Sequence, residues 1–207
     1  MPNASLKRGG ARNFRDRTSW QLTQRQGSVV RDRAFDAWDA DMPLSRFITV
    51  AWGMAGIEPE DAVRATGAFV SLARDWMRNH GFSMPWVWVQ ECGVVFGQHA
   101  HILLHVPAEL EGLFRPMPRR WAKAILSGHY VAHTVKTERL ASAYSAQHNR
   151  WQYEAALLGK LSYMLKCSPS KNEAPLGMLG YGYKPWGQRS YVVGKRAGAW
   201  QKGRSAC

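Results

Sequence analysis

The 207-residue chain has no uninterrupted apolar run approaching the roughly 20 residues that a membrane span needs. Its opening residues, MPNASLKRGGARNFRDR, lack the apolar stretch of a secretory signal, so the cytoplasm is the expected compartment. Cysteines are few. Cys92, Cys167 and Cys207 are odd in number and none stands two residues from another, which argues against a disulfide framework and against a cysteine-based zinc site. Also missing is a glycine-rich loop ending in Lys-Ser/Thr, so no segment is expected to bind and spend a nucleoside triphosphate. Acids are the scarcest class relative to their opposites: 15 Asp+Glu face 28 Lys+Arg, a formal net charge of +13. Such an excess favours a polyanionic partner, because each phosphate contact releases condensed counterions. With no basic amphipathic helix evident, nucleic acid is preferred over a membrane surface.

What is present suffices for one folded domain, with 45% hydrophobic and 12% aromatic residues. Residues 1–41 read as a basic, flexible arm. Lys7, Arg8, Arg12, Arg15, Arg17, Arg25, Arg31 and Arg33 are opposed in that stretch only by Asp16 and Asp32 up to residue 33, and Arg12 and Arg15 are candidate contacts to a DNA backbone. A folded domain is expected over 42–169, starting near Met42-Pro43. RFITVAW (46–52) alternates and is rich in β-formers, so it predicts a strand. Glu58-Pro59-Glu60-Asp61 opens a helix reaching about Asn79, with Val63, Phe69, Val70, Leu72, Ala73, Trp76 and Met77 on its buried side. PWVWVQE (85–91) and QHAHILLHV (98–106) predict two strands joined as a hairpin through Gly93 and Gly97. A helix is expected around 117–127, a fourth strand over 130–137 and a second long helix over 150–166. Residues 170–207 form a Gly-, Pro- and Tyr-rich basic segment without assignable structure, in which Lys184 and Arg189 are further candidate DNA contacts. The order β-α-β-β-α-β-α predicts an α+β fold, a central antiparallel β-sheet with helices packed on one face.

The chemistry concentrates in two places. On the 98–106 strand, alternation puts Ala100, Ile102, Leu104 and Val106 on one face and His99, His101, Leu103 and His105 on the other. His99 and His101 then stand roughly 6–7 Å apart at Cα, close enough for their imidazoles to converge on one ion. With the hairpin centred near Val95, Glu91 lies across the ladder from His99, about 5 Å away at Cβ. Two imidazoles and a carboxylate make a small site with open positions that suits Mg²⁺, Mn²⁺ or another divalent ion. His105 is too far along the strand to share that ion and is left as a bystander or a DNA contact. On the helix RWQYEAALLGKLSYMLK, Leu157, Leu158, Leu161 and Leu165 form one stripe, while Lys160, Tyr163 and Lys166 fall opposite. Nearby positive charge helps a phenolate attack phosphorus, so Tyr163 is a candidate nucleophile, with Lys166 its helper and Lys160 a DNA contact; taken alone, the same residues also read as an ordinary amphipathic helix with an exposed tyrosine. Tyr153, some 15 Å earlier along the helix axis, is the second-ranked tyrosine.

A strand ending in Glu (WVQE), a glycine-containing hairpin, a His-hydrophobic-His strand (HAHILLH) and a downstream Tyr-x-x-Lys helix together resemble the HUH endonuclease superfamily. Within it the likeness is to rolling-circle replication initiators of plasmids and of filamentous or single-stranded DNA phages. FITVAW occupies the place of that family's first motif, and the likeness covers roughly residues 46–166. The resemblance implies a central antiparallel sheet, a divalent metal on His99, His101 and Glu91, and in-line attack by Tyr163 to leave a 3′-OH and a 5′-phosphotyrosine. It also implies single-stranded DNA or an origin hairpin as substrate, with unwinding and synthesis left to a host helicase and polymerase. Trp86, Trp88, Trp186, Tyr181 and Tyr183 are candidates for base stacking. A single-domain transposase or a mobilisation relaxase shares the motifs, and a non-catalytic basic DNA-binding protein or a metal-dependent hydrolase without a covalent step shares the composition. Oligomeric state is not legible.

Overall fold

The computed structural model describes residues 17–140, 146, 148–180 and 191–201. In chain order the described elements are β1 (Thr18–Ser19), α1 (Gln24–Asp39), β2 (Arg46–Ala51), α2 (Pro59–Asn79), β3 (Trp86–Gly93), β4 (Gly97–Leu104), α3 (Glu111–Phe114), α4 (Met117–Ile125), β5 (Val135–Arg139), α5 (Arg150–Met164), β6 (Val192–Val193) and β7 (Ala197–Ala199). Five of the strands form one sheet in the order β5-β2-β4-β3-β7, and β1 pairs with β6 separately. All pairings are antiparallel, so the expected α+β architecture with a central antiparallel sheet is the one observed.

Helices cover both faces of that sheet, not one. Ile48, Val50, Trp88, Ala100, Ile102 and Leu104 pack against α2 and α4 through Phe69, Ala73, Met77 and Trp121. The alternate residues Phe47, Val87, Val89 and Leu103 pack against α1 and α5 through Val30, Ala34, Leu157 and Leu161. The physical reason lies in the strands: VWV in β3 and ILL in β4 are apolar at successive positions, which only a sheet buried on both sides can accommodate.

The basic arm expected over 1–41 is the main correction. Residues 1–16, with Arg12 and Arg15, lie outside the described residues, but Gln24–Asp39 is a helix with Val30, Ala34, Ala37 and Trp38 buried. A capping box starts it: the Gln26 amide donates to Thr23 Oγ1 at 3.2 Å and the Thr23 amide donates to Gln26 Oε1 at 2.9 Å. Such a cap contributes about 1 kcal/mol. Arginines on the other side of the helix hid this stripe, whose members are mostly small. Described residues of the 170–207 segment likewise join the core: Leu176 and Met178 are buried, and Ala197–Ala199 closes the β3 edge of the sheet. Gly198 is required there, since a Cβ would come within 2.5 Å of the Trp88 indole.

Smaller differences concern element ends and faces. The strand expected over 130–137 is β5, Val135–Arg139, because Val131–Thr134 make a turn (Thr134 N to Val131 O 3.3 Å) in which His133 has φ +68°. On α2 the buried face is Ala62, Ala65, Thr66, Phe69, Val70, Ala73 and Met77. Leu72 is exposed instead. The helix expected to reach 166 ends at Met164, so Lys166 occupies the turn that follows, three residues before Pro169.

Candidate metal centre and tyrosine

The β3–β4 hairpin sets the geometry. Gly93 pairs with Gly97, Glu91 with His99 and Val89 with His101, the register expected from a turn centred on Val95. The hairpin is braced from β2 by the short turn after Trp52, where Gly53 lies so close that a Cβ would stand 2.7 Å from the Gln98 amide. Glu91, His99 and His101 therefore project from adjacent strands on the α5 side of the sheet, with at most 6% of each exposed. Their candidate ligand atoms all lie within 4.8 Å of one another.

Each imidazole is oriented by its other nitrogen. His99 Nδ1 is 2.9 Å from the Gly97 carbonyl and His101 Nδ1 is 3.0 Å from Thr49 Oγ1, on the neighbouring strand β2. With Nδ1–H donated in that way, both Nε2 lone pairs point toward Glu91, the arrangement that prepares a histidine to ligate a cation. The Nε2 to Glu91 Oε2 distances are 3.4 Å for His99 and 3.5 Å for His101, long for a hydrogen bond. His101 Nε2 and Glu91 Oε1 have no hydrogen-bond partner despite complete burial. Buried polar atoms are normally satisfied, so two such atoms in one cluster mark a place suited to a further, cationic partner. The donor set fits a divalent ion.

Electrostatics agree with that use. Burial raises the Glu91 carboxyl, but the imidazoles of His101 and His99 and the Lys166 ammonium outweigh it and hold the group well below the usual carboxylate range. Burial pushes His101 down to about 4, against the opposing pull of Glu91. Near neutral pH the pair is thus a carboxylate beside a neutral imidazole, the protonation states a metal requires.

Tyr163 stands over this cluster. The residue is 46% exposed, and its ring centroid is 5.0 Å from that of His101 and 6.0 Å from that of Phe47. Phe47 in turn stacks on His101 at 5.3 Å. Lys166 joins the two halves of the site: its Nζ is 2.5 Å from Glu91 Oε2 and 4.0 Å from the centre of the Tyr163 ring. Its charge is therefore shared between the carboxylate and the tyrosine rather than given to the tyrosine alone. Tyr153 is 1% exposed and its hydroxyl donates to the Leu44 carbonyl at 3.2 Å. Burial raises its phenol far above the ordinary value, so it is a core residue.

The remaining candidates divide. Lys160 lies over Phe47 at 4.2 Å and pairs with Glu138 at 3.0 Å, which ties it down beside the tyrosine. His105 is half-buried and 2.8 Å from the Pro43 carbonyl; burial lowers its pKa, and it fastens the end of β4 to the loop before β2. Trp88 is buried beneath Gly198 and offers no stacking face, while Trp86 is half-buried. Lys184, Arg189, Trp186, Tyr181 and Tyr183 lie outside the described residues. Sequence reading missed Thr49, Phe47 and the exposed turn Val94-Val95-Phe96, whose Phe96 ring is 5.6 Å from His99. Thr49 and Phe47 were legible only through the β2–β4 register, which no motif specifies.

No family model matches this chain, and no curated protein or solved structure does either. No helix among the described residues is long and apolar enough to cross a membrane.

Proposed function

We propose that the chain is a metal-dependent, site-specific single-strand DNA nickase of the one-tyrosine type, forming a 5′-phosphotyrosine and able to rejoin strands, as in rolling-circle replication of a plasmid or phage. The observation that carries this reading is the 5.0 Å contact between the rings of Tyr163 and His101, which sets an exposed phenol against a buried set of candidate cation ligands. The net charge of +13 supports a DNA substrate. A divalent ion, Mg²⁺ or Mn²⁺, held by Glu91, His99 and His101 would supply Lewis acidity at the scissile phosphate.

The chain's own part is to position and to conserve. Tyr163 loses its phenolic proton to solvent and its oxygen forms a bond to phosphorus as the bond to the 3′-oxygen breaks. The departing 3′-oxygen takes up a proton from water. One phosphodiester replaces another, so a later 3′-OH can run the step backward and reseal the strand without an energy source. Lys166 balances charge as the phenolate forms, and Phe47 with His101 fixes the ring from below. Unwinding and synthesis would fall to host helicase and polymerase.

The test is incubation of the full chain and Mn²⁺ with a random-sequence single-stranded DNA library, followed by a denaturing gel and sequencing of DNA that stays with the protein. A shifted band that survives denaturant and disappears in Tyr163→Phe, by on the order of a thousandfold or more in rate, is expected. Cleavage that persists in Tyr163→Phe would instead indicate a hydrolase, and no adduct on any sequence would sink the nickase reading.

A further inference from the structure

From Gly112 to Thr137 the sequence contains Arg115, Arg119, Arg120, Lys123 and Lys136 and not one Asp or Glu. The structure gathers the first four around α4. They line two adjoining clefts of about 350 and 620 Å³, which share Arg115 and Arg119 and are completed by Tyr130 and His133. All four cations are exposed. The nearest acid in sequence, Glu111, is engaged elsewhere, with Arg46 at 2.7 Å and with Arg139. Like charges gathered with no counterion among the described residues repel one another, and an external anion would supply the balance.

The shape of the patch selects the anion. Single-stranded DNA is held by free aromatic faces as well as cations. In this cleft the aromatic residue is Tyr130, and its ring is already capped by Arg119 at 5.2 Å and Lys123 at 5.6 Å. Arg119 and Lys123 stand one helical turn apart, about 6 Å along the axis, and the uncharged lining beside Tyr130 (Pro118, Ala132, Val135 and Thr137) offers no aromatic face on which a base could stack. Backbone contact without base contact is the mode by which a protein grips a duplex. The cleft also lies on the far side of the sheet from Tyr163: Val135 of β5 packs with the α2–α4 core, while Glu138 of the same strand meets Lys160 beside the tyrosine.

We infer that the α4–β5 cleft binds the phosphate backbone of duplex DNA, holding the paired region that flanks a single strand cut on the opposite face. This rests on DNA being the partner, but not on the tyrosine chemistry. The experiment uses fluorescence polarisation with a blunt-ended duplex and, separately, a single-stranded oligonucleotide, across a salt series. The variant is Arg119→Gln/Lys123→Gln. The control is Arg74→Gln/Arg78→Gln, which removes two charges from the exposed side of α2, where both arginines face Asp75. Thermal melting confirms that both variants fold.

The cleft variant is expected to bind duplex about tenfold or more weakly, with a salt slope smaller by about two. It should keep its single-strand affinity and its covalent adduct yield, and the control should lose little. Equal loss in the control would mean diffuse charge and overturn the inference, as would wild-type protein that fails to bind duplex. Absence of adduct with the wild-type chain would count against the nickase reading alone, because the duplex measurement does not depend on it.

Discussion

The two faces of β4 come from alternate residues of one strand and are buried to nearly the same degree, yet they serve opposite ends. Toward α2 and α4, Ala100, Ile102 and Leu104 have 0% exposure and only carbon to present. Toward α5, His99 and His101 are almost as deeply buried, at 6% and 1%, beside Glu91 at 3%. The first face gains stability from every contact. The second gives up stability, since desolvating a carboxylate and imidazoles is costly, and it leaves His101 Nε2 and Glu91 Oε1 without a hydrogen-bond partner. Burial therefore does not separate core from site in this protein; what marks the site is three buried ligand atoms converging within 4.8 Å of one another.

Substitutions on the two faces should separate cleanly. The largest expected effect is on the polar face: His101→Ala removes a ligand, and we expect calorimetric Mn²⁺ binding and adduct formation to fall below detection in protein that circular dichroism shows to be folded. A normal adduct yield in that variant would show that the cluster is not a metal centre. On the apolar face Ile102→Ala should cost about 2–5 kcal/mol in urea unfolding and leave Mn²⁺ affinity of the folded protein intact. If Mn²⁺ binding instead fell in step with stability, the two faces would not be independent.

Two milder variants sharpen the contrast. Thr49→Val keeps the shape of β2 but removes the oxygen that orients His101 Nδ1, so metal affinity should drop roughly 10–100-fold with the fold retained. Tyr153→Phe is the smallest. It deletes a buried hydroxyl whose partner is the Leu44 carbonyl, and should cost about 1 kcal/mol with no change in adduct yield. A lost adduct there would move the nucleophile ten residues along the helix.

How much of this the sequence reveals depends on how local the cause is. Glu91 opposite His99 follows from two glycines and strand alternation, so the hairpin register and the ligand trio are legible in a short stretch. The leucine stripe of α5 is local too, and with it the exposure of Tyr163. Other features depend on distant partners. Thr49 reaches His101 only because β2 pairs with β4, α1 is stabilised by a core that its own weak stripe does not announce, and β7 joins the sheet through a glycine that reads as a loop. The second layer of helices follows from the continuous apolar runs of β3 and β4, whereas alternation in the histidine strand by itself implies only one buried face. Lys166 was placed beside Tyr163 by helical spacing. Its ion pair with Glu91, 75 positions away, depends on how α5 docks on the sheet.

The central claim is that Tyr163 itself takes the 5′-phosphate. Its most direct test is tryptic mass spectrometry of the adduct formed with Mn²⁺ and single-stranded DNA, after nuclease digestion to a nucleotide remnant. We predict the remnant on the peptide containing Tyr163 and on that side chain. DNA cleaved with no modified peptide, or a remnant on Tyr153 or any other residue, would contradict it.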